Sequence, residues 1–400
     1  MKKRGLPLRI LHLLIALLIA GGIIYATAAG AGPLPPLGSV LNPGTGVWAA
    51  ASAARPVQSE TLHLAGLQQP VTVIFESNGT PHIQAATDSD LFWTIGYLQA
   101  HFRLTQMDLL RRQGEGLLSQ ILGKEALSSD QLQVMLGLDR AARLDWQTLP
   151  ANGPTRQGLQ AYTNGVNAWI GQAEQSNSLP FMFKLLNYRP QAWTPIDTLV
   201  IQGVMTQDLN FSTTPLNYAM MVKSLGYDRT MQWFPVLPTD AQHPYETGPY
   251  QHPANLTPLP SQLTFSQATM QSLASMQQQI SALPNAMRDG SASNNWAVNG
   301  PLTASGNALM AGDPHLHLTL PSIWYQLDAS SPNYTFSGVS IPGVPLILIG
   351  RNQHISWSMT DVQNESTLFY VEKTDSAHPH QYYWNGSWHQ MQHIIYDIPV

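Results

Sequence analysis

The sequence predicts an α+β fold, and a change in pattern along the chain carries that prediction. Before about residue 256 the apolar residues recur mostly at helical spacing. After Asn294 the chain turns to short strand-type runs separated by turn residues. Hydrophobic residues make up 44% of the 400 residues, which is enough for a sizeable buried core.

Composition excludes several classes of function. Charged residues make up only 11% of the chain and the net charge is −5, so nucleic acid is not expected as a partner. The chain has no cysteine, which excludes a cysteine nucleophile, a thiolate metal site and a disulfide. No organic cofactor is expected.

The N-terminus predicts export to the periplasm. Lys2, Lys3 and Arg4 precede an apolar run from Ile10 to Ala26, and Ala26-Thr27-Ala28 has the pattern of a signal-peptidase site. With the small residues up to Ala31, the run is also long enough to span a bilayer. Residues 1–31 are therefore predicted to be either a cleaved signal peptide or an anchor, with residues 8–31 in the membrane.

A Pro-rich linker is predicted over residues 32–61, followed by a compact region that begins near Leu62. Val71–Phe75 has strand composition, Asn78-Gly79 is a turn signal, and Thr80–Ala85 is predicted to be extended.

Helices are predicted next. Thr87 and Asp90 are placed as a capping box, and Leu91, Ile95, Leu98 and Phe102 follow at helical spacing. Two further helical stretches are predicted at Gly158–Gln172 and Leu199–Asp208. Residues 256–292 are rich in Gln, Ser, Pro and Met, and are interpreted as an exposed connector.

The last part of the chain is predicted to form strands. Trp296–Val298 and Ala308–Ala311 are expected to pair as an antiparallel hairpin around Gly300-Pro301 and Ser305-Gly306. Further strands are predicted at Thr335–Val339, Leu346–Ile349, His354–Ser358 and Leu368–Val371, and the chain is expected to end in a strand at Val400.

Ser293 is the candidate nucleophile. A serine needs a base, but the chain has no Ser-x-x-Lys or His-Glu-x-x-His motif, and Gly338–Pro342 fails as a nucleophile elbow at its last position. Cleavage of the bond before Ser293 would free an α-amine, whose pKa of about 7.7–8.0 suits a general base. A nucleophile that must become a chain terminus also explains the removable connector before it.

Three blocks after the connector resemble the start of the catalytic β chain of penicillin acylases: Ser293-Asn294-Asn295-Trp296, Gly312–His315 and Gly350–Ser358. Upstream, Gly79–Ile83, Gly96–Asp108 and Arg111-Arg112 resemble the family's α chain. The resemblance implies an N-terminal-nucleophile hydrolase with a four-layer αββα sandwich, which this sequence would hold only in part.

The resemblance further implies self-cleavage at Ala292–Ser293. It gives an α-chain region of residues 62–255, a spacer of residues 256–292 and a β chain that starts at residue 293, joined as an α/β heterodimer. Family members often have Gly before the nucleophile. Ser291, which follows Gly290, is therefore a rival to Ser293, although it does not precede Asn-Asn-Trp.

The remaining roles also come from the resemblance. His315 matches a position that assists the amine, although a histidine after proline is often only a structural hydrogen-bonder. Asp361 and Val362 match backbone N–H donors of the oxyanion hole. Leu316 and Ile349 match the acyl pocket, but both could simply be core residues. Glu365 fits one ligand of a structural calcium site, whereas Leu368 stands where a second Asp is usual.

The implied activity is hydrolysis of the amide of an N-acylated small molecule, such as a penicillin or an N-acyl-homoserine lactone, with a place in antibiotic metabolism. The alternatives are a non-catalytic exported binding protein or an inactive truncated homologue on the same scaffold. Family β chains continue well past residue 400 and supply a second oxyanion donor there. Residues 1–400 alone are therefore expected to lack amidase activity.

Overall fold

A computed structural model describes residues 6–29, 37–44, 46–48, 61–235, 267–281, 292–316, 318–360, 366–370 and 372–400. The chain divides into two compact units. The first contains residues 1–205, 290–360 and 398–400, and the second contains residues 206–289 and 361–397.

The helices of the described residues lie mainly before the connector. They are α1 (Leu6–Ala29), α2 (Gly38–Leu41), α3 (Asp88–Glu115), α4 (Ser119–Leu122), α5 (Leu127–Leu136), α6 (Leu138–Thr148), α7 (Pro154–Gln175), α8 (Phe181–Leu185), α9 (Pro195–Asn210), α10 (Thr214–Leu225), α11 (Tyr227–Trp233) and α12 (Gln267–Ser281). The strands are β1 (Val71–Phe75), β2 (Pro81–Ala85), β3 (Ala292–Val298), β4 (Leu309–His315), β5 (Tyr325–Ser330), β6 (Thr335–Ser340), β7 (Ile349–Asn352), β8 (Ser356–Trp357), β9 (Gln381–Trp384) and β10 (Ser387–Gln390).

A six-stranded sheet in the first unit joins both parts of the chain, in the order β1-β2-β5-β6-β7-β8. Strand β2 pairs with β5 in parallel, with Ile83 opposite Ala329, and the other neighbours in the sheet are antiparallel. The sheet therefore combines strands from both sides of the predicted cleavage site in the sequence. Strands β1 and β2 precede residue 293, and the other four strands follow it.

Two long helices, α3 and α7, pack closely in the same unit. Gly96 of α3 lies against the Tyr162 carbonyl, and Gly165 of α7 lies against the Trp93 carbonyl, so a Cβ atom at either glycine would collide with backbone. Buried apolar residues of both helices join the inward residues of the sheet in one core. These residues include Leu91, Ile95, Leu104, Met107, Tyr162, Val166, Leu327 and Ala329.

The start of α3 is fixed by Thr87, as predicted, although the cap differs in detail from a capping box. The Thr87 hydroxyl accepts a hydrogen bond from the Asp90 amide (3.0 Å) and donates one to the Asp90 carboxylate (2.7 Å). The carboxylate also accepts the backbone amides of Gln68 and Gln69, so it ties the segment before β1 to the helix.

Buried charges gather at the other end of α3. Asp108, which is only 1% exposed, accepts hydrogen bonds from Arg111 and Arg112, both at 2.9 Å from Nε, and from the Tyr188 hydroxyl at 2.9 Å. Arg111 also pairs with Asp197 near the start of α9, at 3.4 Å. The buried ion pairs of Arg111 and Arg112 therefore stabilise the packing of the predicted α-chain region.

The second unit contains α10 to α12 and a β9–β10 hairpin. Within it, the Thr367 hydroxyl donates to the Asn210 carbonyl (3.1 Å) and accepts the Ser212 amide (2.9 Å). This contact fastens residues 366–370 to the C-terminal end of α9.

Most of the predicted elements are confirmed. The α+β class, the strand at Val71–Phe75, the long helix after Thr87, the helices containing Gly158–Gln172 and Leu199–Asp208, and the hairpin after residue 292 all form. Within the connector, residues 267–281 are the helix α12, and residues 256–266 and 282–291 lie outside the described part of the chain.

Three strand predictions are wrong. Leu346–Leu348 is loop, and the strand begins only at Ile349, because the loop is held by the side-chain contacts described below. Residues 366–370 are not strand, residue 371 lies outside the described residues, and residues 391–400 are irregular up to Val400. The strand β5 and the β9–β10 hairpin were not predicted.

Candidate active site

Ser293 is the second residue of β3, in a two-stranded hairpin with β4. The turn that joins the strands is closed by Thr303, whose hydroxyl donates to the Asn307 carbonyl at 2.7 Å. Gly306 has φ of 73°, a left-handed conformation that favours glycine. Local turn chemistry therefore fixes the register of the strand that carries Ser293.

The register places Ser293 and His315 on opposite faces of the hairpin. Ser293 lies opposite Pro314, whereas His315 lies opposite Ala292. Because directly opposed residues share a face and successive residues alternate, His315 is on the Ala292 face and the Ser293 side chain is on the other. The hairpin therefore brings His315 next to the residue before the predicted cleavage bond, and not next to the Ser293 hydroxyl.

His315 has a carboxylate partner. Its Nε2 lies 2.9 Å from the Oδ2 of Asp313, which is two residues earlier and on the same face. Both side chains are open to solvent, with 43% of His315 and 73% of Asp313 exposed. The pair forms a polar, accessible group on the Ala292 face.

Gly312 of the hairpin packs against another segment of the first unit, at Ser358. A Cβ atom at Gly312 would collide with the Ser358 hydroxyl, and Gly312 is directly opposite Asn295, two residues after Ser293. Within the described residues, the buried Ser358 Oγ has no hydrogen-bond partner. Sequence reasoning placed both residues in family blocks but did not identify this contact, which only the fold reveals.

The acyl-pocket candidates lie on different strands. Leu316 directly follows β4, and Ile349 opens β7, where it pairs with Val339. Both are half-buried, so neither is a fully enclosed core residue. Ser291, Asp361, Val362 and Glu365 lie outside the described residues, and their roles stay predictions.

A structural calcium site stays a prediction, because its candidate ligand Glu365 lies outside the described residues. Leu368, in the place of a second Asp, is 66% exposed and offers no oxygen from its side chain. In the described part of the chain no three His, Asp or Glu residues gather as a metal site. Next to Leu368, the Thr367 hydroxyl forms direct hydrogen bonds with the backbone of Asn210 and Ser212 at the C-terminal end of α9.

The chain resembles known acylases over most of its length. It is 29% identical to acyl-homoserine lactone acylase QuiP from Pseudomonas aeruginosa, over 83% of this chain and 38% of that protein. It is 29% identical to penicillin acylase 2 proenzyme from a Pseudomonas species, over 74% of this chain and 36% of that protein. Penicillin G acylase from Escherichia coli is 23% identical, over 80% of this chain and 42% of that protein.

Among solved structures, thermostable penicillin G acylase from Alcaligenes faecalis matches 44% of this chain and 97% of that chain, at 25% identity and a TM-score of 0.39. The chain spans about two fifths of the length of the curated relatives named above. The profile of the family described as penicillin amidase matches residues 70–400. The chain belongs to the penicillin amidase family.

Proposed function

We propose that the complete protein is a self-processing amide hydrolase with Ser293 as its nucleophile. The family match carries this proposal, and the position of Ser293 supports it. Ser293 opens a strand directly behind the connector, in the Ser-Asn-Asn-Trp block. A conventional serine hydrolase is disfavoured because the chain lacks the nucleophile elbow.

In the proposed mechanism, cleavage of Ala292–Ser293 frees the Ser293 α-amine. The amine takes the proton of Oγ as Oγ attacks the substrate carbonyl, and then gives the proton to the leaving amine. Water hydrolyses the acyl-enzyme ester, which releases the carboxylic acid and restores the hydroxyl. Backbone N–H groups of Asp361 and Val362 stabilise the oxyanion, and one such donor is typically worth about 2.7–4 kcal/mol.

His315 is proposed to act on the backbone and not on the hydroxyl. Because it shares a face with Ala292, it is placed to contact the scissile peptide before cleavage and the new amine afterwards. Its bond to Asp313 orients the ring.

The proposed substrate is an amide between an apolar acyl group and a polar amine, with Leu316 and Ile349 in contact with the acyl group. The names of the relatives point to N-acyl-homoserine lactones and penicillins. The two products of cleavage are proposed to stay together as an α/β heterodimer, because the β2–β5 pairing joins them. A four-layer αββα sandwich and export to the periplasm complete the proposal.

The test is to express the protein from its gene up to the natural stop codon, beside Ser293→Ala and the matched variant Ser291→Ala. Wild type and Ser291→Ala should give two polypeptides, the second beginning at Ser293 by N-terminal sequencing. Both should hydrolyse a chromogenic phenylacetyl amide or a long-chain acyl-homoserine lactone. Ser293→Ala should stay intact and inactive. An uncleaved but folded wild type would instead support a binding protein, and a product that begins at Ser291 would overturn the assignment.

A further inference from the structure

A fully buried amide, that of Gln99 on α3, makes four hydrogen bonds. Its Oε1 accepts the Tyr162 hydroxyl at 2.6 Å and the Gly343 amide at 2.9 Å. Its Nε2 donates to the Val344 carbonyl at 3.2 Å and to the Ser340 hydroxyl at 3.4 Å. An amide in this position needs both its donor and its acceptor, because a buried polar atom without a partner is costly.

Two of the four partners of Gln99, Gly343 and Val344, belong to the loop of residues 341–348, between β6 and β7. Gly343 has φ of 104°, and a side chain there would collide with Ile201. Ser340, the last residue of β6, adds a bond from its hydroxyl to the Val344 carbonyl at 2.6 Å. The first half of the loop is therefore fixed by polar contacts to the α-chain region.

The second half of the loop is fixed from the other side. The Trp357 indole donates to the Ile347 carbonyl at 3.3 Å. The Ile347 side chain fills the space where Gly338 and Gly350 have no Cβ, since added Cβ atoms would lie 2.8 Å and 2.6 Å from it. The loop thus has little freedom to move independently of β7 and β8.

This loop leads directly to the candidate site. Ile349, a proposed acyl-contacting residue, follows Leu348, and the Ile347 carbonyl is bonded to Trp357, which precedes Ser358. Ser358 in turn lies against Gly312 of the hairpin that carries Ser293. A continuous series of contacts therefore runs from Gln99 to the nucleophile hairpin.

We propose that Gln99 is a positioning residue of the acylase site, which sets the 341–348 loop and thereby the placement of Ile349 and of the nucleophile hairpin. This inference rests on the proposed function. Gln99 belongs to the predicted α chain and the loop to the predicted β chain. The same amide therefore keeps the acyl-contacting strand in register after the chain is cut.

The test compares Gln99→Met, which keeps the length of the side chain and removes its polar atoms, with Gln99→Glu, which keeps the acceptors and loses the donor. Tyr97→Phe is the matched control. The Tyr97 hydroxyl also joins α3 to α7, through Gln172 at 2.7 Å. All chains are expressed to the natural stop codon.

Three quantities are measured: amide hydrogen exchange in residues 341–349, the rate of self-cleavage, and kcat and KM for amides of increasing acyl length. Both Gln99 variants should exchange at least about tenfold faster in the loop, because several buried hydrogen bonds are lost together. Their KM should rise severalfold, with a flatter dependence on acyl length. Tyr97→Phe should match wild type in all three.

Gln99 variants with wild-type loop exchange and wild-type acyl preference would overturn the inference, even if their melting temperature falls. If Gln99→Met does not fold, Tyr162→Phe, which removes a single donor to Gln99, should show the same changes at smaller size, and their absence would count against the proposal. A wild type that neither cleaves itself nor hydrolyses any amide overturns the proposed function. Loop exchange in the variants then still decides whether Gln99 sets the loop.

Discussion

Ser293 and His315 lie in motifs that resemble the same family, but their side chains are on opposite faces of the hairpin. The separation arises because His315 is one residue out of register with Ser293. Because Ser293 is opposite Pro314, the His315 ring faces the Ala292 side of the hairpin. The ring is 43% exposed and its bond is to Asp313, so it is not part of the core. We therefore expect any role of His315 to act through the backbone at the predicted cleavage site.

Replacing His315 with Ala should slow self-cleavage and turnover without preventing folding. The expected loss is about tenfold, smaller than the roughly 10²–10⁴-fold contribution of a general base itself, because the α-amine remains. His378→Ala is a matched control, since His378 also pairs with an exposed aspartate, Asp375, at 2.9 Å. Cleavage and hydrolysis rates equal to wild type in purified His315→Ala would return the residue to a structural role.

Gly312 is a second residue whose identity the fold explains. Replacing Gly312 with Ala should lower the extent of self-cleavage, because the new methyl group collides with the Ser358 hydroxyl and pushes the hairpin away. Adding Ser358→Gly should restore cleavage by removing the colliding atoms. Gly171→Ala is the control, since an added Cβ there would meet no heavy atom within 4 Å apart from the nearby backbone of its own helix. A double variant as impaired as Gly312→Ala would show that this contact does not position the hairpin.

At this scale the sequence could identify the motif but not its geometry. Ser293 could be predicted as the nucleophile because it and the next three residues, Asn294, Asn295 and Trp296, form one continuous motif. The Gly312–Ser358 contact joins residues far apart in the chain, and no local pattern encodes it. Gln99 was visible only as part of a family block, because a buried glutamine has the same local pattern as an exposed one.

Among the elements, α3 carries a carboxyl group with a raised pKa, that of Glu115, at its C-terminal end. Burial, together with charge repulsion and a hydrogen bond from the nearby Asp197 carboxyl, raises the pKa of Glu115 to about 8 against the opposing charge of Arg111. Glu115 is therefore protonated in the folded state at neutral pH and ionised in the unfolded chain.

The sign of the resulting pH dependence follows from proton binding. Between the unfolded value near 4.5 and the folded value near 8, the folded state binds the extra proton, so stability falls as pH rises through this window. Glu115→Gln should remove this part of the dependence, a slope of at most about 1.4 kcal/mol per pH unit within the window. Thermal unfolding of both proteins from pH 5 to pH 8 is the measurement, with the exposed Glu174→Gln as control. Parallel curves for wild type and Glu115→Gln would refute the raised pKa of Glu115.

Long periodic elements were predictable, and short ones depended on tertiary contacts. The helix α3 has a cap and a long apolar stripe, so local rules suffice. Leu346–Leu348 has strand composition, but the Trp357 indole takes the Ile347 carbonyl, and Gln99 fixes the backbone just before this segment, at Gly343 and Val344. The β9–β10 hairpin does have a local signal, Asn385-Gly386 with φ of 46° and 84°, which suits a two-residue hairpin turn and was overlooked.

For the molecule as a whole, the six-stranded sheet determines which contacts between the two parts of the chain would remain after self-cleavage. Strands from before and after residue 293 are hydrogen-bonded neighbours, and the α3–α7 pair packs on the same core. Cutting one peptide bond removes none of these contacts. The proposed cut therefore changes the chemistry at Ser293 and leaves the fold in place.

The helix α1 differs from the rest of the molecule, because the apolar residues of Ile10–Ala29 are not packed inside the protein. This stretch has a mean hydropathy of 2.3 and is not buried, and Leu17 and Leu18 are 59% and 76% exposed. So long an exposed apolar surface is unfavourable in water, and a membrane or a signal-recognition pathway would cover it. Export with α1 as signal or anchor is the expectation.

Replacing Leu17 and Leu18 together with Arg tests this, since each arginine at the centre of a membrane helix costs about 2.5–3.5 kcal/mol. Wild-type protein should be degraded by protease added to spheroplasts or be released with the periplasm, whereas the double variant should stay protected in the cytoplasm. Leu144→Arg, at a 57% exposed position on α6, is the control and should behave as wild type. N-terminal sequencing of the exported protein then separates the two outcomes, since a start just after Ala28 means a cleaved signal and an intact α1 means an anchor. Protection of the wild type in the cytoplasm would contradict export altogether.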